Sequence, residues 1–498
     1  MRKLSYSSHD YSRSVFEGIV PMASTQKKPL HARYCIPAAL ALAACTALSA
    51  VFSAWVFAGG FWIWWASGYG AGAGVASLRP WIYVAWAFLF ACIAFDAVFS
   101  VKMARTKGKG HYRFAYTSTI IILVASVTAF VNLGGGSVQT QVTPIVVFPG
   151  GNPSSEIVLA CYTPSAQGNL MIEYELDGSG IPAHAFDRGD GTSHRFYLWG
   201  LLPNSTYRFH ALANSSSSQP VPAGLGMPRY FKTAPRNSSD GITFLSISDM
   251  HSRFPGELAE RMVSERADLI IEAGDLTEMG SVAGDWSRYF QAMSALYPGT
   301  SSSVPAALRM PVIGNHDSLF FGRENFGRYF RGVGSGADSP FWYKVDAGDV
   351  HFIILDVEWG LESFTQNQED WLQQTLAAID PGDWIVVTTH CPLYSSGNNG
   401  EGTGVAAKLA PIFEAGGVDL VISGHDHHYQ RVTRGNITYM LTATVNPDTW
   451  QGAGIPGSQA YITGETMYGK YVIRGNSLYI YGMHANGTIA DSATLTRS

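Results

Sequence analysis

The residues best suited to chemistry in this sequence are Asp, Asn and His side chains that directly follow apolar runs. In the clearest case, the apolar run 310–313 stops at Gly314 and is followed by Asn315, His316 and Asp317. The same residue types follow four other apolar runs: Asp249 and His251, then Asp275, then His390, then His425 and His427. Their oxygen and imidazole nitrogen atoms suit divalent ions such as Mn, Fe(II) or Zn. The sequence therefore indicates a metal site.

Each of these groups also has a structural explanation when it is taken alone. Asp275 after Gly274 could cap a helix, and His425 and His427 could belong to a polar loop. A lone histidine near a strand end is more often packed or solvated than bound to a metal. The metal interpretation is favoured because all five groups occur in one stretch of chain, each just past an apolar run.

The elements that position these groups follow an α/β pattern, because apolar strands alternate with helical stretches from Gly241 onward. The five groups follow predicted strands at 242–247, 269–273, 310–313, 384–389 and 418–423. Helices are predicted at 257–267 and 286–296, and strands at 438–443, 469–473 and 477–481 are expected to complete a second sheet. The stretch 444–467 is predicted to be a loop. Since α/β folds place their sites at the carboxyl ends of strands, we expect the five groups to meet.

Taken in chain order, the groups form the motifs Asp-x-His, Gly-Asp, Gly-Asn-His-Asp, His and Gly-His-x-His. This order resembles the calcineurin-like metallophosphoesterase superfamily over residues 241–431. Three strings are similar to the purple acid phosphatases: VTTHCPLY at 387–394, GHDHHYQR at 424–431 and QEDWL at 368–372. The resemblance implies an α/β catalytic domain over 240–498, with two mixed β-sheets sandwiched by helices.

The resemblance also implies a ligand set and a mechanism. One metal would be held by Asp249, His251 and His427, and the other by Asn315, His390 and His425, with Asp275 bridging them. Two divalent ions (Fe, Mn or Zn) would lie about 3.5–4 Å apart, and a bridging hydroxide would attack the phosphorus of a phosphate monoester. His316 would protonate the leaving alkoxide, and Asp317 would orient the His316 imidazole.

Two positions depart from the purple acid phosphatase pattern. That family has Asp-x-Gly where this chain has Asp249-Met250-His251, and it has a Tyr three residues beyond the Gly-Asp aspartate, where this chain has Glu278. The Tyr binds ferric iron and gives those enzymes their colour. Its replacement, together with an added His, argues against a purple ferric centre and leaves the identity of the metal pair open.

A β-sandwich is predicted before the catalytic domain, over 140–236. Short alternating segments are separated by turn-rich stretches, which is typical of an all-β module. The string Leu201-Leu-Pro-Asn-Ser-Thr-Tyr207 resembles the corner of fibronectin type III-like domains. We expect this module to be a spacer or a wall beside the catalytic domain.

The N-terminal part is predicted to be a membrane anchor. Three apolar stretches, at about 38–66, 81–101 and 114–133, are long enough to span a bilayer as transmembrane helices, so the membrane domain covers 36–135. Lys and Arg are concentrated before the first span and between the second and third, which places the segment 1–35 in the cytoplasm. The catalytic domain is then expected to be extracellular, luminal or periplasmic. Glycosylation sequons at Asn204, Asn214, Asn237, Asn436 and Asn486 fall in that exterior part.

Composition limits the function classes. The net charge of −5, with 14% charged residues, gives no reason to expect nucleic-acid binding. Five cysteines do not form a disulfide framework, although a Cys161–Cys391 bridge is conceivable.

The leading hypothesis is a membrane-anchored phosphatase acting on small phosphate esters. A phosphodiesterase or nucleotide pyrophosphatase with the same metal core is the alternative enzyme, and a non-catalytic membrane receptor or scaffold is the alternative of another class. The oligomeric state stays open.

Overall fold

The computed structural model describes residues 142–163, 170–213, 221–222, 225–334, 339–397, 404–442, 445–447, 452 and 454–497. The predicted cytoplasmic segment 1–35 and the predicted membrane domain 36–135 lie outside these ranges. Within the ranges, no helix has both the length and the apolar character needed to cross a bilayer. Cys161 and Cys391 are both buried, and the conceivable bridge between them is not formed.

The first described module is all-β and consists of two antiparallel sheets, with strand orders β1-β2-β5 and β4-β3-β6-β7. Its strands are β1 Val146–Pro149, β2 Glu156–Tyr162, β3 Leu170–Leu176, β4 Ala183–Phe186, β5 Ser193–Trp199, β6 Thr206–Ala213 and β7 Arg229–Lys232. Side chains from both sheets, such as Phe196 and Phe209, are fully buried in one hydrophobic cluster. The two sheets therefore form a sandwich around a shared core.

A tyrosine fixes the connection between β5 and β6. The Leu202 backbone N–H donates to the Tyr207 hydroxyl at 2.8 Å, and the Thr233 hydroxyl donates to the Leu202 carbonyl at 2.7 Å. A tyrosine at the start of a strand that bonds back to the backbone a few residues upstream is a tyrosine corner. The string that suggested such a corner in the sequence thus forms one.

The second module is built on two mixed sheets, with strand orders β10-β9-β8-β18-β19-β20 and β11-β12-β13-β14-β16-β15-β17. The strands are β8 Ile242–Ile247, β9 Leu269–Glu272, β10 Leu308–Pro311, β11 Tyr343–Asp346, β12 Val350–Ile354, β13 Trp384–Thr388, β14 Leu420–Ser423, β15 Tyr429–Arg434, β16 Ile437–Leu441, β17 Ser458–Ile462, β18 Met467–Arg474, β19 Ser477–His484 and β20 Ile489–Thr496. The helices are α1 Gly256–Ser264, α2 Ala283–Met293, α3 Asn315–Ser318, α4 Gly322–Phe330, α5 Gln366–Ala377 and α6 Val405–Ala415.

The two mixed sheets pack face to face, and helices cover the outside of the seven-stranded sheet. The rings of Phe244 on β8 and Phe352 on β12 meet edge to face with centroids 5.0 Å apart. On β12 the next residue, Ile353, belongs instead to the cluster that contains Leu372 of α5 and Phe413 of α6. This division follows from the alternation of side chains across a strand.

The topology brings the carboxyl ends of two sets of parallel strands to the site. In one sheet β8, β9 and β10 run parallel, and in the other β12, β13 and β14 do. All five predicted groups follow these strands. The later strands divide between the two sheets, since β16 joins the seven-stranded sheet while β18 and β19 join the six-stranded one. The loop predicted at 444–467 is wrong in part, because β17 lies within it.

Candidate metal centre

The loops after β8, β9 and β14 have a backbone conformation that side chains other than glycine rarely adopt. Five of the predicted ligands have positive φ: Asp249 at 54°, His251 at 47°, Asp275 at 52°, His425 at 77° and His427 at 52°. Non-glycine residues in this region are uncommon, and such strain concentrates at functional sites where the surrounding structure enforces it. The chain therefore turns sharply just past each strand, where the predicted ligands lie.

One cluster of potential ligand atoms comes from Asp249, His251, Asp275 and His427, with all atoms within 4.8 Å of one another. The Nε2 atoms of His251 and His427 are 3.4 Å apart. His427 Nε2 lies 3.4 Å from Asp249 Oδ1, and His251 Nε2 lies 3.8 Å from Asp275 Oδ2. Two imidazoles and two carboxylates thus face a common point.

A second cluster consists of Asp275, His390 and His425, and Asn315 joins it. The Asn315 side-chain oxygen lies 2.9 Å from His390 Nε2 and 2.8 Å from His425 Nδ1. Asp275 Oδ1 lies 3.3 Å from the same His390 Nε2. Asp275 belongs to both clusters, so the seven predicted ligands form two adjoining sites with one shared carboxylate.

Backbone contacts hold several of these side chains in place. His390 donates from Nδ1 to the Ala273 carbonyl at 2.8 Å, which leaves Nε2 directed at Asn315 and Asp275. The carboxylate of Asp249 accepts from the His425 backbone N–H at 3.1 Å. Such outer bonds fix the ring orientation and tautomer of metal-binding histidines.

Gly274 is required by the packing around His390. A Cβ atom at this position would lie 2.2 Å from His390 Nδ1, and the residue has a φ of +92°. Both the contact and the backbone angle exclude other residues. The Gly-Asp motif therefore allows β9 to approach the histidine that follows β13.

The electrostatics of the two clusters are those of a site that binds cations. Burial acts to raise the pKa of Asp275, but His390, and after it His251 and His316, hold that pKa well below its usual range. Burial acts to lower the pKa of His390, but Asp275 and then Asp249 outweigh it and raise the pKa to about 10. Burial, reinforced by His390, lowers the pKa of His425 to about 4. Without metal, the protonated His390 thus balances the charge of the ionised Asp275, and a bound cation would displace that proton.

The donor set fits two divalent ions. Carboxylate, amide and imidazole atoms converge from five loops, and one carboxylate is placed to be shared. Hard and borderline donors of this kind suit Mn, Fe or Zn rather than soft metals. The seven residues are therefore gathered in the two groups that the family resemblance implied.

The role predicted for Asp317 is wrong. Its carboxylate accepts from the backbone N–H groups of Gly314, Leu276 and Thr277 at 3.0, 3.1 and 2.9 Å, and from the Thr277 hydroxyl at 2.9 Å. His316 is held instead by the Glu278 carbonyl, to which its Nδ1 donates at 2.8 Å. Asp317 therefore joins the loop after β9 to the loop after β10 and does not orient the imidazole.

Two residues beside the centre were not predicted to act there. The Glu278 carboxylate lies 3.2 Å from His251 Nδ1 and comes close to His316 as well. Its position three residues after Asp275, where the related family has Tyr, was the available signal. The ring of Trp359 lies 5.7 Å from that of His425. In the sequence, only the position of Trp359 shortly after a buried strand could have indicated that it lies beside the centre.

The chain is similar to known phosphoesterases and phosphatases. A family model described as calcineurin-like phosphoesterase matches residues 242–429. An uncharacterized protein of Mycobacterium tuberculosis is 28% identical over 336 residues, which are 57% of this chain and 60% of that protein. The phosphoenolpyruvate phosphatase of Allium cepa is 26% identical over 237 residues, or 43% of this chain and 47% of that enzyme. The chain thus spans less than two thirds of the length of these curated relatives.

A solved structure shares the fold. The purple acid phosphatase from yellow lupin (Lupinus luteus) seeds aligns with a TM-score of 0.59 at 16% identity, over 72% of this chain and 75% of the lupin chain. At this identity the likeness concerns the fold alone.

Proposed function

We propose that this chain, whose residues 242–429 belong to the calcineurin-like phosphoesterase family, is a metal-dependent phosphatase that hydrolyses phosphate monoesters. The observation that carries the proposal is the pair of clusters that share Asp275. A shared carboxylate between two sets of imidazole and oxygen donors is suited to a dinuclear site, and dinuclear sites clamp a phosphoryl group during in-line displacement. The similarity to phosphatases of plants supports the reaction type.

The residues divide the work of the reaction as follows. Asp249, His251 and His427 would hold one ion, Asn315, His390 and His425 would hold the other, and Asp275 would serve both. Bound metal would supply the Lewis acidity that polarises a phosphoryl group and lowers the pKa of a water molecule. The burial of most of these side chains excludes bulk water, which strengthens the electrostatic interactions inside the site.

His316 is the proposed proton donor to the leaving group. A backbone carbonyl can only accept, so the bond to Glu278 fixes the proton on Nδ1 and leaves Nε2 as the atom that transfers a proton. The His316 backbone N–H donates to Asp275 Oδ1 at 2.9 Å, which holds the residue against the shared ligand. General acid catalysis contributes typically about 10²–10⁴-fold to the rate.

The location and the N-terminal organisation are part of the proposal. We infer a membrane-anchored protein with three transmembrane helices, a fibronectin III-like sandwich and a catalytic domain outside the cytoplasm, in contact with a lipid bilayer. The apolar stretches and the distribution of Lys and Arg in the sequence support the anchor. The tyrosine corner at Tyr207 supports the fibronectin-like module. Asn204, Asn436 and Asn486 are exposed, which supports glycan attachment.

The test of the activity combines metal analysis with turnover. The purified full-length chain should contain about two divalent ions and hydrolyse aryl and alkyl phosphate monoesters faster than bis-aryl diesters. An Asp275→Asn variant should lose both metal and turnover. Faster hydrolysis of diesters would favour the phosphodiesterase alternative. A chain with neither bound metal nor turnover would contradict the proposal that the protein is an enzyme.

The proposed topology has a separate test. Protease added to intact cells should cleave the catalytic domain, and complete protection would contradict the proposed topology.

A further inference from the structure

A tryptophan side chain stands half exposed beside the buried polar centre. Trp359 is 53% exposed, and its indole meets the His425 imidazole edge to face, with an interplanar angle of 78°. The ring thus touches one of the proposed ligands while presenting much of its surface to solvent. A large apolar ring next to a polar site is the usual way in which a pocket binds the body of a ligand.

The loop that carries Trp359 is held on both sides. The Cys391 Sγ lies 3.3 Å from the Trp359 carbonyl and donates to it, and the Cys391 backbone N–H donates to the Val357 carbonyl at 2.9 Å. At the start of the loop, the Asp356 N–H donates to the Gln368 side chain at 2.8 Å. Since Cys391 follows His390, the position of the indole is tied to the metal cluster. Little entropy would be lost when a ligand packs on a ring held in this way.

A second exposed aromatic residue lies close to the proposed proton donor in sequence. Phe320 is 50% exposed and follows His316 by four residues. It has a φ of 50° and a ψ of 50°, the left-handed region that a bulky residue occupies only when something enforces it. Strain of this kind is characteristic of ligand clamps.

Arg323 connects the two loops. Arg323 lies on α4, three residues after Phe320. Its guanidinium donates to the carboxylates of Asp356 and Glu358. Glu358 is adjacent to Trp359 in the chain. The same guanidinium lies 4.1 Å from the centre of the Phe341 ring. Phe320 and Trp359 therefore stand on two loops that are fastened to each other and that both lead to the metal cluster. We call these two residues the aromatic rim.

We propose that the aromatic rim binds a planar ring in the leaving group, so that the substrates of this site are phosphate esters whose alcohol carries a flat aromatic ring. This inference rests on the proposed phosphatase function. Stacking of a base on an aromatic side chain is worth enough to change binding by about 5- to 150-fold. The metal cluster would hold the phosphoryl group, and the rim would hold the ring beyond it.

The test measures binding with two non-hydrolysable probes, phenylphosphonate and methylphosphonate, on the metal-loaded full-length chain by calorimetry. The wild-type protein should bind phenylphosphonate at least about tenfold more tightly. Trp359→Ala should abolish most of this preference without changing the affinity for methylphosphonate, while Trp359→Phe should keep part of it. Phe320→Gly removes a ring at a backbone angle that glycine accepts and should also lower the preference.

The matched control is Trp199→Ala. Trp199 is a 56% exposed tryptophan on β5 of the sandwich, where it stacks on Tyr197, so its loss should leave both affinities unchanged. Equal binding of the two probes by the wild type, binding of neither, or an undiminished preference in Trp359→Ala and Phe320→Gly would overturn the inference. A chain that shows the ring preference but hydrolyses no monoester would contradict the proposed function and leave the rim in place.

Discussion

His316 and Asp317 are neighbours in the chain, but their side chains make separate sets of contacts. The imidazole is held by the carbonyl of Glu278, and the carboxylate is surrounded by donors from the loop after β9 and from Gly314. A residue that transfers a proton and a residue that holds two loops together should give different phenotypes when each is replaced. The two substitutions therefore separate chemistry from architecture.

Replacement of His316 by Ala should impair turnover selectively. We expect the metal content to be retained and kcat on alkyl phosphates to fall by about 10²–10⁴-fold, because their leaving groups need a proton. Dinitrophenyl phosphate, whose leaving group needs none, should be affected much less. Steady-state kinetics on the two esters with metal analysis check this, and an equal loss on both would contradict the assignment.

Replacement of Asp317 by Asn should impair the fold. The buried carboxylate accepts from three N–H groups and one hydroxyl, so an amide NH₂ group must face at least one of these donors in either orientation. Unsatisfied buried donors cost about 1–3 kcal/mol each. Urea unfolding in the presence of a chelator should show a loss of about 3 kcal/mol that His316→Ala does not show. Wild-type stability in Asp317→Asn would contradict the structural role assigned to this carboxylate.

The sequence predicted which residues of the candidate site come together, but it did not predict all of their contacts. The identities and order of the seven predicted ligands indicated a metal site because each follows an apolar run. The bond from Leu276 to Asp317 could not be predicted, since it joins backbone and side chain 41 residues apart. The nearness of Trp359 to His425 depends on how two loops fold over the strands, which no local pattern records.

Among the elements, β9, β10 and α2 are joined by a buried charge pair just upstream of the site. Glu272 on β9 accepts from Arg309 on β10 at 2.8 Å and from the hydroxyl of Tyr289 on α2 at 2.7 Å. Tyr297 donates to the same carboxylate at 2.8 Å. Glu272 and Arg309 are almost completely buried. Asp275 lies three residues after Glu272, at which β9 ends, so this network supports the loop that carries the proposed shared ligand.

Removal of one partner of this pair should lower the free energy of unfolding more than removal of both charges. Arg309→Met leaves the Glu272 carboxylate buried without a cation, which costs about 3–5 kcal/mol. The double variant Glu272→Gln/Arg309→Met removes the charge and keeps an acceptor for the tyrosine hydroxyls, so it should regain at least about 2 kcal/mol. Urea unfolding of both variants measures the difference. A double variant no more stable than Arg309→Met would show that the charge is not the cause.

A second element contact should make stability depend on pH. His351 on β12 lies 2.7 Å from Asp346 and 3.1 Å from Asp383, and Lys344 pairs with the same Asp346. Burial acts to lower the pKa of His351, but the hydrogen bonds to Asp346 and Asp383 outweigh it and raise that pKa. The stabilisation is then complete below the unfolded value of about 6.5 and is lost as the pH rises through the folded value.

We therefore expect wild type and His351→Gln to differ by about 1–2 kcal/mol near pH 6 and by less at pH 9. Unfolding of the two proteins at both pH values gives the difference directly, and pH effects from other groups cancel in the comparison. A gap that widens from pH 6 to pH 9 would contradict the sign of the pKa shift.

The strands of the core could be predicted from the sequence, while three strands at sheet edges could not. β8 has the predicted limits, because a buried strand needs an apolar run. β4, β17 and β20 each lie at the edge of a sheet, and Ala185 is their only buried residue. Edge strands bury little surface, so their sequences carry little hydrophobic alternation. Only pairing with a neighbouring strand defines them.

In the described part of the chain, the sandwich supplies hydrogen-bond donors to the end of a helix in the catalytic module. The last turn of a helix leaves backbone carbonyls without intrahelical partners. At the end of α4, the Arg195 guanidinium of β5 donates to the carbonyls of Arg328 and Arg331, the latter at 2.9 Å. The hydroxyl of Tyr162 on β2 donates to the carbonyl of Tyr329. Because α4 begins shortly after His316 and carries Arg323, the sandwich supports one wall of the site.

Replacement of Arg195 by Met should therefore weaken the coupling between the two modules. The aliphatic part of the side chain is kept, but the α4 carbonyls lose charged donors, each worth about 1.5–3 kcal/mol. We expect urea unfolding to begin earlier and to become less cooperative, with a lower apparent m-value. Arg208→Met is the matched control, because Arg208 pairs with Glu175 inside the sandwich and is 41% exposed. If both variants unfolded like the wild type, the sandwich would be a passive spacer; a loss confined to Arg195→Met would make it a structural part of the catalytic module.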